Sequence, residues 1–119
     1  MLPIKLELTP DFFNEKTECG YTVKHDMKEL WAVELDLLNE LLKCCKKQNI
    51  RVFAAFGTLI GAVRHNGFIP WDDDIDVWML REDYNRFLRT ADFSDPYFLQ
   101  TEETDIGFSR AFARLRNSC

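Results

Sequence analysis

Residues 24–47 carry an apolar stripe that constrains the architecture more than any other feature of the chain. Met27, Leu30, Trp31, Leu38, Leu41, Leu42 and Cys45 recur at three- and four-residue steps, the period of one face of an α-helix. Glu34 interrupts the stripe. Lys43, Lys46 and Lys47 crowd its end, where cations complement the helix dipole, and Asn49 marks the stop. At ~1.5 Å per residue such a helix is ~35 Å long and would back a whole small domain. The 119 residues allow one domain, 1–119, and no more.

The other elements are shorter. Pro3–Leu8 alternates apolar and charged residues, which reads as a strand or extended arm with one buried face. Thr9–Tyr21 reads as irregular or as a short helix stopped at Gly20. Ile50–Phe56, between Asn49 and Gly57, reads as a buried strand. Leu59–Arg64 reads as a short helix broken by His65-Asn66-Gly67. In Phe68–Trp71, Pro70 fixes its own φ and pushes Ile69 towards an extended form. Asp74–Met79 alternates and reads as a second strand, and Arg81–Arg89 as a helix with Tyr84, Phe87 and Leu88 on one side. Tyr97–Gln100 and Ala111–Leu115 read as further strands. The expected fold is α/β (α+β), a small mixed sheet flanked by helices.

Composition removes several function classes. The net charge of −5 argues against a nucleic-acid backbone binder, which usually presents a basic face. It leaves room for a phosphate substrate, because a metal ion reverses the local sign. Cys19, Cys44, Cys45 and Cys119 form no C-x-x-C pair and have no histidine cluster, so zinc is not expected; they read as reduced thiols of a cytoplasmic protein. The N-terminus lacks the basic and apolar regions of a signal peptide. No stretch approaches ~20 apolar residues, so no membrane span is expected; peripheral association stays open.

The chemistry concentrates in two places. The first is Phe68–Val77, FIPWDDDIDV, with four aspartates in five positions. On a strand, residues two apart share a face, so Asp74 and Asp76 project together while Ile75 and Val77 turn inward. Two adjacent carboxylates repel unless a proton or a cation intervenes. Mg²⁺ or Mn²⁺ answers that repulsion, taking one or two carboxylates plus water and phosphate oxygens. Asp72 and Asp73 would then support the two ligands from behind. An isolated Asp-x-Asp is more often a solvated acidic turn. A calcium loop fails, because its sixth position is Val77 rather than glycine and its twelfth is Asp83 rather than glutamate.

The second place is Gly57-Thr58, where a strand runs into a helix. The first turn of that helix offers unpaired N–H groups and a positive dipole end. Gly57 lets an oxyanion approach the backbone, and the Thr58 hydroxyl can bond a phosphate oxygen or cap the helix. An ordinary helix cap is the plainer explanation of the dipeptide alone. Together the two features bring a phosphate cradle and a metal pair to one sheet end, the parts that phosphoryl transfer needs. The order is that of the nucleotidyltransferase fold.

The block GTLIGAVRHNGFIPWDDDIDVWMLREDYNRF resembles the signature of the LicD family, the choline-phosphate transferases of bacterial surface polymers. It is also similar to the fukutin-related proteins, which transfer ribitol phosphate. The chain departs from the usual family run at Ile60, Asn66, Val77 and Trp78, none of them a carboxylate. WAVELDLL upstream and PYFLQTEET and FARLRNS downstream also look family-like, so the resemblance covers nearly the whole chain.

The resemblance implies metal-dependent transfer of a phospho-alcohol, such as phosphocholine, from a CDP-linked donor to a glycan or lipid-linked glycan, with release of CMP. It implies Asp74 and Asp76 as catalytic metal ligands and Gly57 and Thr58 on donor phosphate. Arg64 is a phosphate-binding candidate, as readily a surface arginine. His65 reads as a turn residue more than a base, and Trp71 as pocket wall or packing. Arg110, Arg114 and Arg116 read as solvated charge. The family's lipopolysaccharide or teichoic acid chemistry implies a cytoplasmic enzyme, at the inner face of the membrane. Enzymes of this fold generally add a third carboxylate from a later strand. Here Asp92, Asp95, Glu102, Glu103 and Asp105 are candidates outside any alternating pattern, which suggests an N-terminal portion of a longer domain. Two other readings stay open: a non-catalytic remnant that keeps the fold, and a nucleotidyltransferase that makes a CDP-alcohol from CTP.

Overall fold

The computed structural model describes residues 2–101 and 113–118. Its backbone is the helix expected from the stripe. α1 runs His25–Lys47 and buries Trp31, Ala32, Leu41 and Cys45. Its end is set by Asn49, at φ 56°. The Ile50 N–H donates to the Cys45 carbonyl and the Asn49 N–H to the Lys46 carbonyl, the paired closure of a Schellman motif. Ile50 then joins Leu41, Cys45 and Phe87 in the main core cluster. The cap therefore turns the chain directly from the helix into the core.

Three two-stranded ladders, all antiparallel, accompany the helices among the described residues. β1 (Lys16–Glu18) pairs with β2 (Tyr21–Val23). β3 (Phe53–Ala54) pairs with β4 (Val77–Trp78). β5 (Tyr97–Gln100) pairs with β6 (Arg114–Asn117), Leu99 opposite Leu115. α2 (Phe56–Arg64) connects β3 towards β4, and α3 (Arg81–Thr90) follows β4. The α+β class holds, with paired ribbons packed on helices rather than one continuous sheet. Met79, Val77 and Leu115 pack on the Leu41–Phe87 cluster from the β side.

Several boundaries differ from the pattern in the sequence. Thr9–Tyr21 is neither irregular nor simply a short helix. A 3₁₀ turn at Pro10–Phe13 precedes the β1–β2 hairpin, whose two-residue bend places Cys19 at φ 52° and Gly20 at φ 74°. Positive φ at both central positions is the hairpin geometry that matches strand twist. Its strands are only three residues each, too short for alternation to register. Pro3–Leu8 forms no ladder but keeps its one-sided character: Ile4, Leu6 and Leu8 are half-buried and Lys5 and Glu7 exposed. The arm is held by Asp36, fully buried on α1, whose Oδ1 accepts from the Lys5 and Leu6 N–H groups at 3.0 and 2.9 Å. The Tyr97 hydroxyl donates to the other oxygen.

The paired parts of the 50–56 and 74–79 strands are two residues each, because Phe56 already belongs to α2 and Asp74 and Asp76 precede the ladder. The last strand is Arg114–Asn117, later than Ala111–Leu115; Ala111 lies outside the described residues. Cys19, Cys44 and Cys45 are free thiols, and Cys119 lies outside the described residues.

Candidate functional site

The site grows out of the β3–α2 bend and the segment that returns past it. Phe56, the first residue of α2, sits at φ 50° and is 79% exposed. That conformation is costly for an aromatic residue, and it turns β3 abruptly into the helix. Thr58 and Leu59 direct their N–H groups back to the Ala55 carbonyl. The Thr58 hydroxyl accepts the Asp76 N–H at 2.8 Å, and the Ala55 N–H donates to the Asp76 carbonyl at 3.0 Å. Two hydrogen bonds thus fasten the Gly-Thr bend to the acidic segment. The hydroxyl still has its own proton to donate.

Gly57 does admit an oxyanion, and the oxyanion is the protein's own. A Cβ built on Gly57 would stand 2.6 Å from Asp72 Oδ2. At Gly61 the neighbour is backbone: a Cβ there would collide with the Gly67 carbonyl oxygen. α2 can therefore lie directly against the Gly67–Ile69 chain that leads into the aspartates.

The acidic segment itself is held from α1. The Trp31 indole N–H donates to the Asp72 carbonyl at 2.7 Å, and the indole stacks on Phe68 with centroids 4.4 Å apart and 7° between planes. Pro70 is fully buried at the second position of a turn closed by the Asp72 N–H on the Ile69 carbonyl. Beyond it, Asp74 and Asp76 are exposed while Ile75 and Val77 are half-buried, so the two carboxylates lie on the solvent side of an extended segment. One oxygen each from Asp72, Asp73 and Asp74 lies within 4.8 Å of the others. That closely spaced trio does not contain Asp76, although the Asp74 charge acts on Asp76.

The electrostatics are those of a site with surplus negative charge. Burial, then the Asp74 charge, pushes the Asp72 carboxyl up. The same two causes push Asp76 up, with Arg114 on β6 opposing them. A fifth carboxylate joins from α1. Burial and the charges of Asp74, Asp73, Asp72 and Asp76 push Glu34 up to about 8, and its Oε2 is buried with no hydrogen-bond partner. Glu34 is the residue that broke the apolar stripe. Its signal in the sequence was that interruption, but nothing in one sequence says that it faces the aspartates.

The residues present fit a divalent cation. Three carboxylate oxygens converge, Glu34 adds an orphaned buried oxygen, and burial together with the carboxylates' mutual repulsion raises the pKa values of Asp72, Asp76 and Glu34. Mg²⁺ and Mn²⁺ are met by oxygen donors of this kind.

The remaining candidates are distributed more widely. Arg64 is exposed at the far end of α2 from Thr58. The His65 side chain is buried, its Nδ1 3.1 Å from Glu18 Oε1, so it clips α2 to the hairpin. Trp71 is about half exposed and meets Tyr21 and His65 edge-on, at centroid distances of 5.9 and 6.5 Å. Arg116 bonds Gln100. Asp92 and Asp95 are exposed in the loop after α3. Arg110, Glu102, Glu103 and Asp105 lie outside the described residues.

The class that fold and site define is a small α+β domain with an acidic cluster tied to a strand–helix bend. Comparison with known proteins gives that class its family. Residues 49–117 match the family described as LicD/FKTN/FKRP, nucleotidyltransferase domain, and the chain belongs to it. It is similar to the lipopolysaccharide cholinephosphotransferase LicD of Haemophilus influenzae, 44% identical over 67% of this chain and 28% of that protein. It is also similar to an uncharacterized protein of Rickettsia prowazekii, 34% identical over 70% of this chain and 29% of that protein. The chain thus spans less than a third of the length of these relatives. No solved structure matches it significantly. Among the described residues no helix is long and apolar enough to cross a membrane.

Proposed function

We propose that this domain takes part in metal-dependent transfer of a phospho-alcohol, with phosphocholine as the leading candidate, from a CDP-linked donor to a glycan of a cell-surface polymer. The family and the similarity to a lipopolysaccharide cholinephosphotransferase support the class of reaction. The observation that carries the reading is the junction of the Asp72–Asp73–Asp74 cluster with the Gly57–Thr58 bend. Asp72, Asp73 and Asp74 would hold Mg²⁺ or Mn²⁺, with Asp76 and Glu34 flanking. The bound ion would neutralise charge that builds on the transferred phosphate.

The chain's own residues supply positioning. The Thr58–Asp76 hydrogen bond keeps the bend and the carboxylates in register. The Thr58 hydroxyl proton is available to a donor phosphate oxygen. Trp31 holds the aspartate turn from behind, so the carboxylates need little rearrangement when charge develops, and pre-set dipoles act most strongly under that condition. An acceptor hydroxyl would displace CMP at the phosphorus that carries the alcohol. A surface polymer precursor places this work at the cytoplasmic face of a membrane.

The test measures Mn²⁺-dependent binding of CDP-choline, and CMP release with a glycan acceptor, for this chain and for Asp74→Asn. The expected result is metal-dependent binding that Asp74→Asn abolishes. A folded protein that binds neither Mn²⁺ nor CDP-choline overturns the reading. Pyrophosphate release from CTP and phosphocholine would reassign the reaction to synthesis of the CDP-alcohol.

A further inference from the structure

A cavity of about 450 Å³ opens between the hairpin, α1 and α2, within the size range of small-molecule sites. Gly57, Thr58 and Asp72 line it. Lys16 and Glu18 of the hairpin and Lys28 on α1 line it as well. Lys28 is the unusual residue. It is 9% exposed, and among the described residues its ammonium has no hydrogen bond or ion pair. Its neighbours are the rings of Phe12 and Trp31, at 5.2 and 5.4 Å from their centroids. Ring faces attract a cation but do not replace the water lost on burial. Burial, and next the charge of Lys16, push the Lys28 pKa down, and the charge of Glu18 opposes them only in part. Glu18, the nearby carboxylate, is engaged by His65. Two ammoniums of like charge therefore line a cavity whose wall also includes Asp72 of the acidic cluster.

We propose that this cavity is an anion subsite for a phosphate or diphosphate group, with Lys28 as its buried cation and Lys16 at its rim. The lysines would take the phosphate directly, while the neighbouring carboxylates would engage it through a metal. The proposal deepens the transfer reading by adding a donor-phosphate contact that no carboxylate supplies. It also explains why a helix otherwise built for packing spends a buried position on lysine. Lysine is a point charge suited to phosphate.

The test separates this subsite from the metal site. The whole chain is titrated by calorimetry with inorganic pyrophosphate and with CMP, in excess EDTA at low ionic strength. Wild type is expected to bind, Lys28→Met to weaken binding at least about tenfold, Lys28→Arg to keep most of it, and the exposed Lys16→Ala to weaken it less. Lys28→Met should melt no lower than wild type, because it removes an unpaired buried charge. Mn²⁺ binding, followed by electron paramagnetic resonance, should survive in Lys28→Met and fail in Asp74→Asn. Stronger binding of CMP than of pyrophosphate would identify the nucleotide as the source of the phosphate, and the reverse a free diphosphate; both support the subsite. Wild type that takes up neither probe in EDTA, or Lys28→Met that binds them as wild type does, overturns it, whatever the Mn²⁺ result.

Discussion

Glu34 shows what the crowding of carboxylates does to a single side chain. Its folded-state carboxyl stands at about 8 against ~4.3 for an unfolded glutamate. Below ~4.3 it is protonated in both states and costs nothing. Between ~4.3 and about 8 the folded chain retains a proton that the unfolded chain has lost, so stability falls as pH rises through that window. In metal-free protein with EDTA, Glu34→Gln should therefore gain little in melting temperature near pH 5 and several degrees near pH 8. Equal shifts at both pH values would place Glu34 outside the field of the aspartates. The residue also shows how far one sequence could be read. A charge within an apolar stripe marks a position that is not simply core. That it meets Asp72–Asp76, some forty residues away, follows from the angle at which the turn crosses α1. Trp31 sets that angle through its bond to the Asp72 carbonyl, a contact with no local sequence signal.

At the scale of elements, α2 is a nine-residue helix that works as a spacer with two glycine faces. Gly57 meets the end of a flexible side chain, Asp72, whereas Gly61 meets the backbone of Gly67 and Ile69. Alanine at the two positions should then separate function from stability. Gly57→Ala pushes a carboxylate that can swing away, so it should change stability little while weakening Mn²⁺ binding. Gly61→Ala forces the helix off the loop and should cost about 1–3 kcal/mol in denaturant unfolding, as overpacking does. Equal costs at the two sites would contradict the close approach at Gly61. α1 was legible because a 3.6-residue period accumulates over its 23 residues, and α3 because Tyr84, Phe87 and Leu88 keep that period within ten. The ladders were not. A two-residue pairing such as Phe53–Ala54 with Val77–Trp78 is fixed by its partner and by the Thr58–Asp76 bond, neither of which leaves a period. Asp-x-Asp placed the acidic segment, but the oxygens that come nearest each other belong to Asp72, Asp73 and Asp74, because the chain is still leaving the Pro70 turn at that point.

For the whole molecule, two clusters of charge play opposite parts. Asp36 is a closed cluster. Its oxygens are satisfied by Lys5, Leu6 and Tyr97, so the N-terminal arm, α1 and β5 meet on one buried carboxylate. Asp36→Ala would leave two N–H groups and a hydroxyl without an acceptor, and should lower unfolding stability by at least about 1–3 kcal/mol, the scale for a buried polar group left unsatisfied. The Asp72–Asp76 and Glu34 cluster is open, holding more negative charge than its protein neighbours balance. A domain of this size has only about 5–15 kcal/mol of net stability, so an unbalanced cluster is a measurable fraction of it. Whatever neutralises that cluster should stabilise the entire fold. Mn²⁺ at about a hundred times its dissociation constant should add about 2.7 kcal/mol if it binds the folded state alone, seen as a rise in melting temperature that EDTA reverses. Asp74→Asn and Glu34→Gln should both raise the metal-free melting temperature at pH 8 and shrink that metal-induced rise. A metal response in the Asp74→Asn protein equal to that of wild type would mean that the ion binds elsewhere, and the open cluster would then be an acidic surface with no ligand of its own.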